Sequence, residues 1–259
     1  MRFGCCVGYE HLDVLARNGY DYIELEGKST LHPGVDEETF KRIKSAVDGS
    51  PLGAECFNRF SSGDLKVVGP DVDWALVEHY VDVSLRRAAE LGGTIVGFGS
   101  GASRTYPLGF PREKAWDQLV HFMDIMGRYA AKYGLIVAIE ALNRNQTNLV
   151  NSTEEAVALA QAVNRPEVRV TLDFYHMMLE GEGPEVVPLV ADLLAHVHVA
   201  NRRRGYPHEN LEEFTAFFRA LRDIGYEGRV SIEAEYEDLN MESRRSLDFL
   251  KQALILSET

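Results

Sequence analysis

The chain has 259 residues, 45% of them hydrophobic, enough to bury the core of one large α/β domain. Its 40 acidic residues against 27 basic ones give a formal net charge of -13, which repels phosphate backbones, so no nucleic-acid partner is expected despite the local Arg202-Arg203-Arg204 run. No segment approaches ~18 uninterrupted apolar residues, and Met1 to Cys6 lacks the basic and apolar regions of a signal peptide; no membrane partner and a cytoplasmic location are expected.

Short apolar runs alternate with longer amphipathic segments from one end to the other. The candidate strands are 2–7, 21–25, 53–57, 94–98, 136–140, 168–173, 195–199 and 229–233. Cys5 and Cys6 on the first strand and Cys56 on the third form neither a disulfide framework nor a paired zinc spacing, and read as reduced core residues. Glu24 and Glu26 end the second strand and Glu55 lies in the third; any of them could line a pocket or pair with an arginine such as Arg59. Tyr9, Phe57, Phe60 and Trp74 could wall a pocket, although aromatics at such spacing are more often core. Helical stripes follow at Val77, Val81, Leu85 and Ala88, at Ala115, Leu119, Phe122, Met126 and Tyr129, at Leu211, Phe214, Phe218 and Leu221, and at Leu247, Leu250 and Leu254. Gly92-Gly93, Gly134 and Gly225 each fall between a stripe and a strand, where a left-handed helix cap is wanted. Eight strand–helix units without a linker or repeat predict one domain over 1–259, a single (β/α)8 TIM barrel, in which all strand C-termini meet on one rim.

Four consecutive strands in the second half end on metal-ligand types: Glu140, Asp173, His198 and Glu233. Carboxylates are costly to bury, so three at the ends of apolar runs, together with an imidazole, call for a cation. The oxygen-rich set predicts one divalent metal ion, Mn²⁺ first, with Mg²⁺, Co²⁺ or Zn²⁺ as alternatives. Taken alone, Asp173 has a simpler reading as the cap of a helix beginning at Phe174. His196 shares the face of His198 and reads as a hydrogen-bonded core histidine or a group behind the ligands.

At these residues the chain resembles the xylose isomerase-like sugar isomerase/epimerase superfamily, and within it the ketose 3-epimerases related to tagatose and psicose epimerase. The matching segments are Ile139-Glu140-Ala141-Leu142-Asn143-Arg144, Leu172-Asp173-Phe174-Tyr175-His176, His196-Val197-His198 with Arg204 six residues on, and Ile232-Glu233. The resemblance implies that Glu140, Asp173, His198 and Glu233 bind the metal and that Glu140 and Glu233 are also the catalytic acid/base pair. It implies that His176 binds a substrate oxygen, with Arg204 a fixed charge over the developing enediolate. It further implies a small-molecule sugar or polyol substrate and a homo-oligomer, dimer or tetramer. One departure is Gln146, where the ketose epimerases carry a substrate-binding Glu; Gln does not titrate and is no anion, so the first substrate hydroxyls are held differently. Phe98-Gly99-Ser100-Gly101 also looks like a family segment, and as a phosphate cradle it is a weak signal.

The expected activity is a metal-dependent sugar isomerisation or epimerisation by proton abstraction beside a carbonyl through an enediolate. An alternative is a lyase of the inosose dehydratase type, which would expel a hydroxyl from the same intermediate. An endonuclease IV-like nuclease is disfavoured by the charge and by the absence of histidine at the ends of the third and fourth strands. A barrel that binds sugar without turnover is the non-enzymatic reading.

Overall fold

The first strand, β1 (Arg2–Cys6), leads through a 3-10 turn (Tyr9–His11) into α1 (Leu12–Asn18), and β2 (Tyr22–Glu26) into α2 (Gly27–Thr30) and α3 (Glu37–Asp48). β3 (Gly53–Asn58) is followed by α4 (Trp74–Glu90), and β4 (Ile95–Phe98) by α5 (Gly101–Arg104) and α6 (Arg112–Tyr133). β5 (Ile136–Glu140) precedes α7 (Thr153–Val163), and β6 (Val168–Asp173) precedes α8 (Phe174–Glu180) and a 3-10 segment (Pro184–Val190). β7 (Leu194–Val199) with α9 (Leu211–Asp223), and β8 (Arg229–Ile232) with α10 (Leu239–Leu256), complete the series. This computed structural model describes residues 1–258. All strands are parallel and close into a barrel in chain order, with β8 paired to β1, so the fold is a single (β/α)8 TIM barrel. Among the described residues no helix is long and apolar enough to cross a membrane.

Every expected strand is present, with ends displaced by a residue or so. Glu233 falls just beyond β8, yet its N–H still bonds Val199 O at 3.0 Å, so the ladder to β7 carries the side chain to the rim. The helices begin on side-chain caps where the sequence supplies them: Asp73 accepts from Leu76 N–H, Ser152 from Glu155 N–H and Asp238 from Met241 N–H. Gly134 and Gly225 are left-handed as expected, but of the Gly92-Gly93 pair only Gly92 is. Gly93 is needed for close approach instead, because a Cβ there would strike the Phe57 ring.

Inside the barrel, Tyr22 lies over Gly4, where any Cβ would collide with its ring, and the Tyr22 hydroxyl meets Ser231 Oγ at 2.8 Å. Below it, Arg2 donates to both oxygens of Glu55 (2.7 and 2.6 Å) and Arg229 Nε to one of them at 2.6 Å. Glu55 therefore does not line a pocket; it ties together the N-terminal ends of β1 and β8 from β3. Phe57 and Phe60 are fully buried core, and Trp74 sits at the start of α4 with its ring 4.5 Å from His121. Of the aromatics considered as pocket walls, Tyr9 alone reaches the large cavity at the rim described below.

Candidate metal centre

The C-terminal ends of β5, β6, β7 and β8 bring Glu140, Asp173, His198 and Glu233 together, each offering an atom within 4.8 Å of the others'. Donors sharing one ion at about 2.1–2.4 Å lie no more than about 4.2–4.8 Å apart, so a small inward adjustment completes a common coordination sphere. Glu140, Asp173 and His198 are buried and Glu233 is nearly so. The donor set fits a hard divalent cation.

Electrostatics keeps this cluster together. Burial lowers the His198 imidazolium's tendency to hold its proton, but Glu24 and Glu233 outweigh burial and hold it well above the usual histidine range. His198 Nδ1 lies 3.2 Å from Glu140 and 3.1 Å from Glu233. Burial, aided by Glu233, pushes the Glu140 carboxyl up. For Glu233, burial is outweighed by Arg204 and His198, which hold it down, and for Asp173 by His176 and Arg204. Three buried acids thus share the His198 imidazolium and the Arg204 guanidinium, with the His176 ring 3.7 Å from Asp173, which is the environment a divalent ion would take over.

Asp173 caps α8, as its simpler reading has it, and it also faces the cluster. Its Oδ1 accepts from Tyr175 N–H (2.8 Å) and His176 N–H (3.4 Å), capping α8, while Oδ2 accepts from Arg204 Nη1 at 3.0 Å. The cap fixes the carboxylate plane and leaves the second oxygen facing the site.

His176 lines the cavity and is oriented from behind. The backbone N–H of Asn143, which can only donate, points at His176 Nδ1 from 3.2 Å, so Nδ1 is the acceptor and Nε2 carries the hydrogen in the neutral ring. A hydrogen-bond donor is thereby aimed toward any substrate oxygen beside Asp173.

Arg204 is set by an unusual loop. Asn201 Oδ1 accepts from the N–H of Arg203 (2.8 Å) and Gly205 (2.9 Å), and Arg204 takes a left-handed φ of 64°. The guanidinium then stacks 4.6 Å over the Tyr175 ring and bonds Glu233 at 2.8 Å as well as Asp173. Arg202 pairs with Glu213 at the surface, so the three arginines form no basic patch.

Sequence reasoning missed Glu24. It neither lines the cavity nor pairs with an arginine; it is 1% exposed and accepts from His196 Nε2 at 2.7 Å and His198 Nε2 at 2.9 Å. The bond to Nε2 turns Nδ1 of His198 toward the other three donors, as a carboxylate behind a ligating histidine does. His196 is a hydrogen-bonded core histidine anchored on the same carboxylate. Glu26, by contrast, pairs with Arg59 at 3.0 Å. Cys5 and Cys56 are buried free thiols as expected, but Cys6 corrects the core reading: it is half-buried and borders the cavity, because it ends β1 at the rim.

The glycine-rich segment also has a definite reason. A Cβ on Gly99 would collide with the Glu140 carboxylate, and one on Gly101 would approach Gln146 O to 2.8 Å. Beside it, fully buried Arg104 donates to Glu140 O (2.7 Å) and Phe98 O (3.2 Å), fixing the end of β5. Gly99→Ala is expected to lower kcat about 100-fold by moving Glu140, while the far-ultraviolet spectrum stays that of the parent. Full activity in the variant would show that the Glu140 position is not critical.

A closed parallel barrel with a buried carboxylate–imidazole cluster at its C-terminal rim, under a wide cavity, defines a barrel enzyme. The chain belongs to the xylose isomerase-like TIM barrel family, whose model matches residues 12–253. It is 32% identical over 229 residues to the L-ribulose 3-epimerase of Methylomonas sp. (strain DH-1), covering 85% of this chain and 75% of that one. It is 26% identical over 255 residues, 93% of each chain, to the 3-dehydro-D-guloside 4-epimerase of Escherichia coli (strain K12). The crystal structure of D-allulose 3-epimerase from Methylomonas sp. in complex with D-allulose superposes with a TM-score of 0.84 at 25% identity, over 98% of this chain and 97% of that one.

Proposed function

We propose that the protein is a divalent-metal-dependent sugar epimerase of the ketose 3-epimerase type, acting through Glu140 and Glu233. The observation that carries this reading is the meeting of Glu140, Asp173, His198 and Glu233 beneath a cavity that Glu140, Glu233, His176 and Arg204 all border. Those four donors would hold the ion, Mn²⁺ in first place. Bound there, it would supply Lewis-acid polarisation of a substrate carbonyl and so acidify the neighbouring C–H.

The remaining chemistry belongs to side chains. One of Glu140 and Glu233 removes the proton from the carbon beside the carbonyl, and the other returns a proton to the opposite face. The His176 Nε2–H donates to a substrate oxygen, and Arg204 places a permanent positive charge against the oxygen that gains electron density. Asn58 holds Glu233 from the far side, its Nδ2 donating to Oε1 at 2.9 Å. Gln146, exposed on the cavity wall, offers an amide donor and acceptor to the substrate's first hydroxyls without adding an anion. The reacting carbon is C3 of a 2-ketose or C4 of a 3-keto sugar, and both kinds of epimerase stand among the relatives.

Incubation with Mn²⁺ in D₂O and a panel that includes L-ribulose, D-allulose and D-tagatose tests the reading by NMR. Deuterium is expected at the carbon beside the carbonyl, together with the epimer. Loss of water would favour the dehydratase alternative, and absence of exchange from every member would sink the proposal.

A further inference from the structure

Glu233 is held from two sides. Its Oε2 faces the cluster, 3.1 Å from His198 Nδ1 and 2.8 Å from Arg204 Nη2. Its Oε1 accepts from Asn58 Nδ2 at 2.9 Å. Asn58 ends β3, three strands round the barrel from β8, so this bond crosses the barrel mouth and is no part of the ladder that carries Glu233 to the rim. Both residues border the cavity.

A good deal of local structure goes into placing this amide. Asn58 is only 4% exposed. The Glu233 carboxylate, which Arg204 and His198 hold ionised, can only accept, so the amide turns its Nδ2 toward it. The other end is then unanswered: among the described residues Asn58 Oδ1 is buried without a hydrogen-bond partner. Such an orphan is destabilising, and a leucine of nearly the same size would remove it. The backbone is equally constrained. Arg59, the next residue, takes a left-handed φ of 46° and is held by the Lys28 N–H bond to its carbonyl at 3.0 Å. Gly27, just after β2, makes room for this turn, since a Cβ there would come within 3.1 Å of Asn58 O and 3.2 Å of Phe60 Cα. A polar side chain left half-satisfied beside a strained turn is kept for what its satisfied end does, and that end is the donor to Glu233.

The division of the two oxygens points to the reason. A carboxylate that gives both oxygens to one ion has none left for a substrate C–H. Glu233, as ligand and as proton-transfer group, needs one oxygen for each task. We propose that Asn58 is a positioning residue whose amide keeps Glu233 Oε1 from closing on the ion and so reserves that oxygen for the substrate proton. A single N–H bond leaves Oε1 a lone pair with which to take it. Glu140 is restrained differently, by the close approach of Gly99 to its Oε2, so a change at Asn58 acts on one of the two acids alone. This role rests on the epimerase reading for proton transfer and stands apart from it in metal binding.

Asn58→Leu and the smaller Asn58→Val remove the donor and the orphan acceptor together. In D₂O with Mn²⁺, kcat for epimerisation is expected to fall about 100-fold with KM little changed, as for a reacting group held out of place. Exchange of the epimer whose proton faces Glu140 is expected to continue, while exchange of the other falls. Without metal, Tm is expected to be no lower than in the parent, because a buried unsatisfied oxygen has gone. Calorimetric titration with Mn²⁺ is expected to give an affinity no weaker than the parent's, since Glu233 keeps Oε2 and is freed to bring Oε1. Parental kcat, a loss carried by KM, or equal loss of exchange from both epimers would overturn the assignment. A lower Tm in both variants makes Asn58 a structural residue and overturns it as well. So does Mn²⁺ binding weakened by about 10–100-fold, the result of removing a group that only orients a ligand. The titration also decides the case in which the parent exchanges no sugar: the epimerase reading then fails, and Asn58 is judged on the ion alone.

Discussion

Glu140→Gln and Glu233→Gln each lower epimerisation by about 10³–10⁴-fold, the scale of a lost general acid or base. Gln keeps the volume of the side chain but neither takes nor gives a proton at neutral pH. The two variants are not expected to be equivalent when exchange is followed separately from each epimer. With one carboxylate remaining, the proton on its own face still leaves and returns, so one epimer still exchanges with solvent while the other does not. The two variants should show opposite preferences, because the acids come from β5 and from the end of β8, with β6 and β7 between them. If both variants exchange the same epimer, one group does both transfers and the pair assignment is wrong. If either keeps parental epimerisation, its carboxylate takes no part in proton transfer.

The convergence of Glu140, Asp173, His198 and Glu233 was legible because a strand leaves its last side chain at the rim, and a chain of eight strand–helix units repeats that event at regular intervals. His176 and Arg204 came only through resemblance; their orientation depends on Asn143 and Asn201, whose hydrogen bonds join loops rather than neighbours on one element. Glu24 was hidden by its own strand. In Tyr22-Ile23-Glu24-Leu25-Glu26 both acids fall on one face at period two, and nothing local ranks them. The available clue lay elsewhere: His196 and His198 on a shared face of β7 require a buried acceptor for their ring N–H groups, and an acid on another interior strand is the natural supplier. Gly99 and Arg104 illustrate a second limit. A glycine-rich turn signals permissive backbone, but what it makes room for, here the Glu140 carboxylate, is set by the packing of β4 against β5.

Addition of Mn²⁺ at about 100 times its dissociation constant is expected to stabilise the fold by ~2.7 kcal/mol. In a chain of this size that raises Tm by roughly 5–10 °C. The reasoning starts from charge: Glu140, Asp173 and Glu233 converge within ion-sharing distance, and their cationic partners are the His198 imidazolium and the Arg204 guanidinium, with the His176 ring 3.7 Å from Asp173 and the Asn58 amide on Glu233. Neither meets all three acids as well as a divalent ion at their centre would, and Arg204, released from Asp173 and Glu233, becomes available to substrate. Chelation should therefore abolish turnover and lower Tm together, and re-addition of Mn²⁺ should restore both. Asp173→Asn separates this ion from adventitious surface binding, since it removes a buried donor while an amide oxygen still caps α8. Its Tm should respond to Mn²⁺ far less than that of the parent. An equal shift in parent and variant would place the ion outside the barrel rim, and no shift with Mn²⁺, Mg²⁺, Co²⁺ or Zn²⁺ would remove metal assistance from the mechanism and leave the two glutamates to act on an unactivated carbonyl.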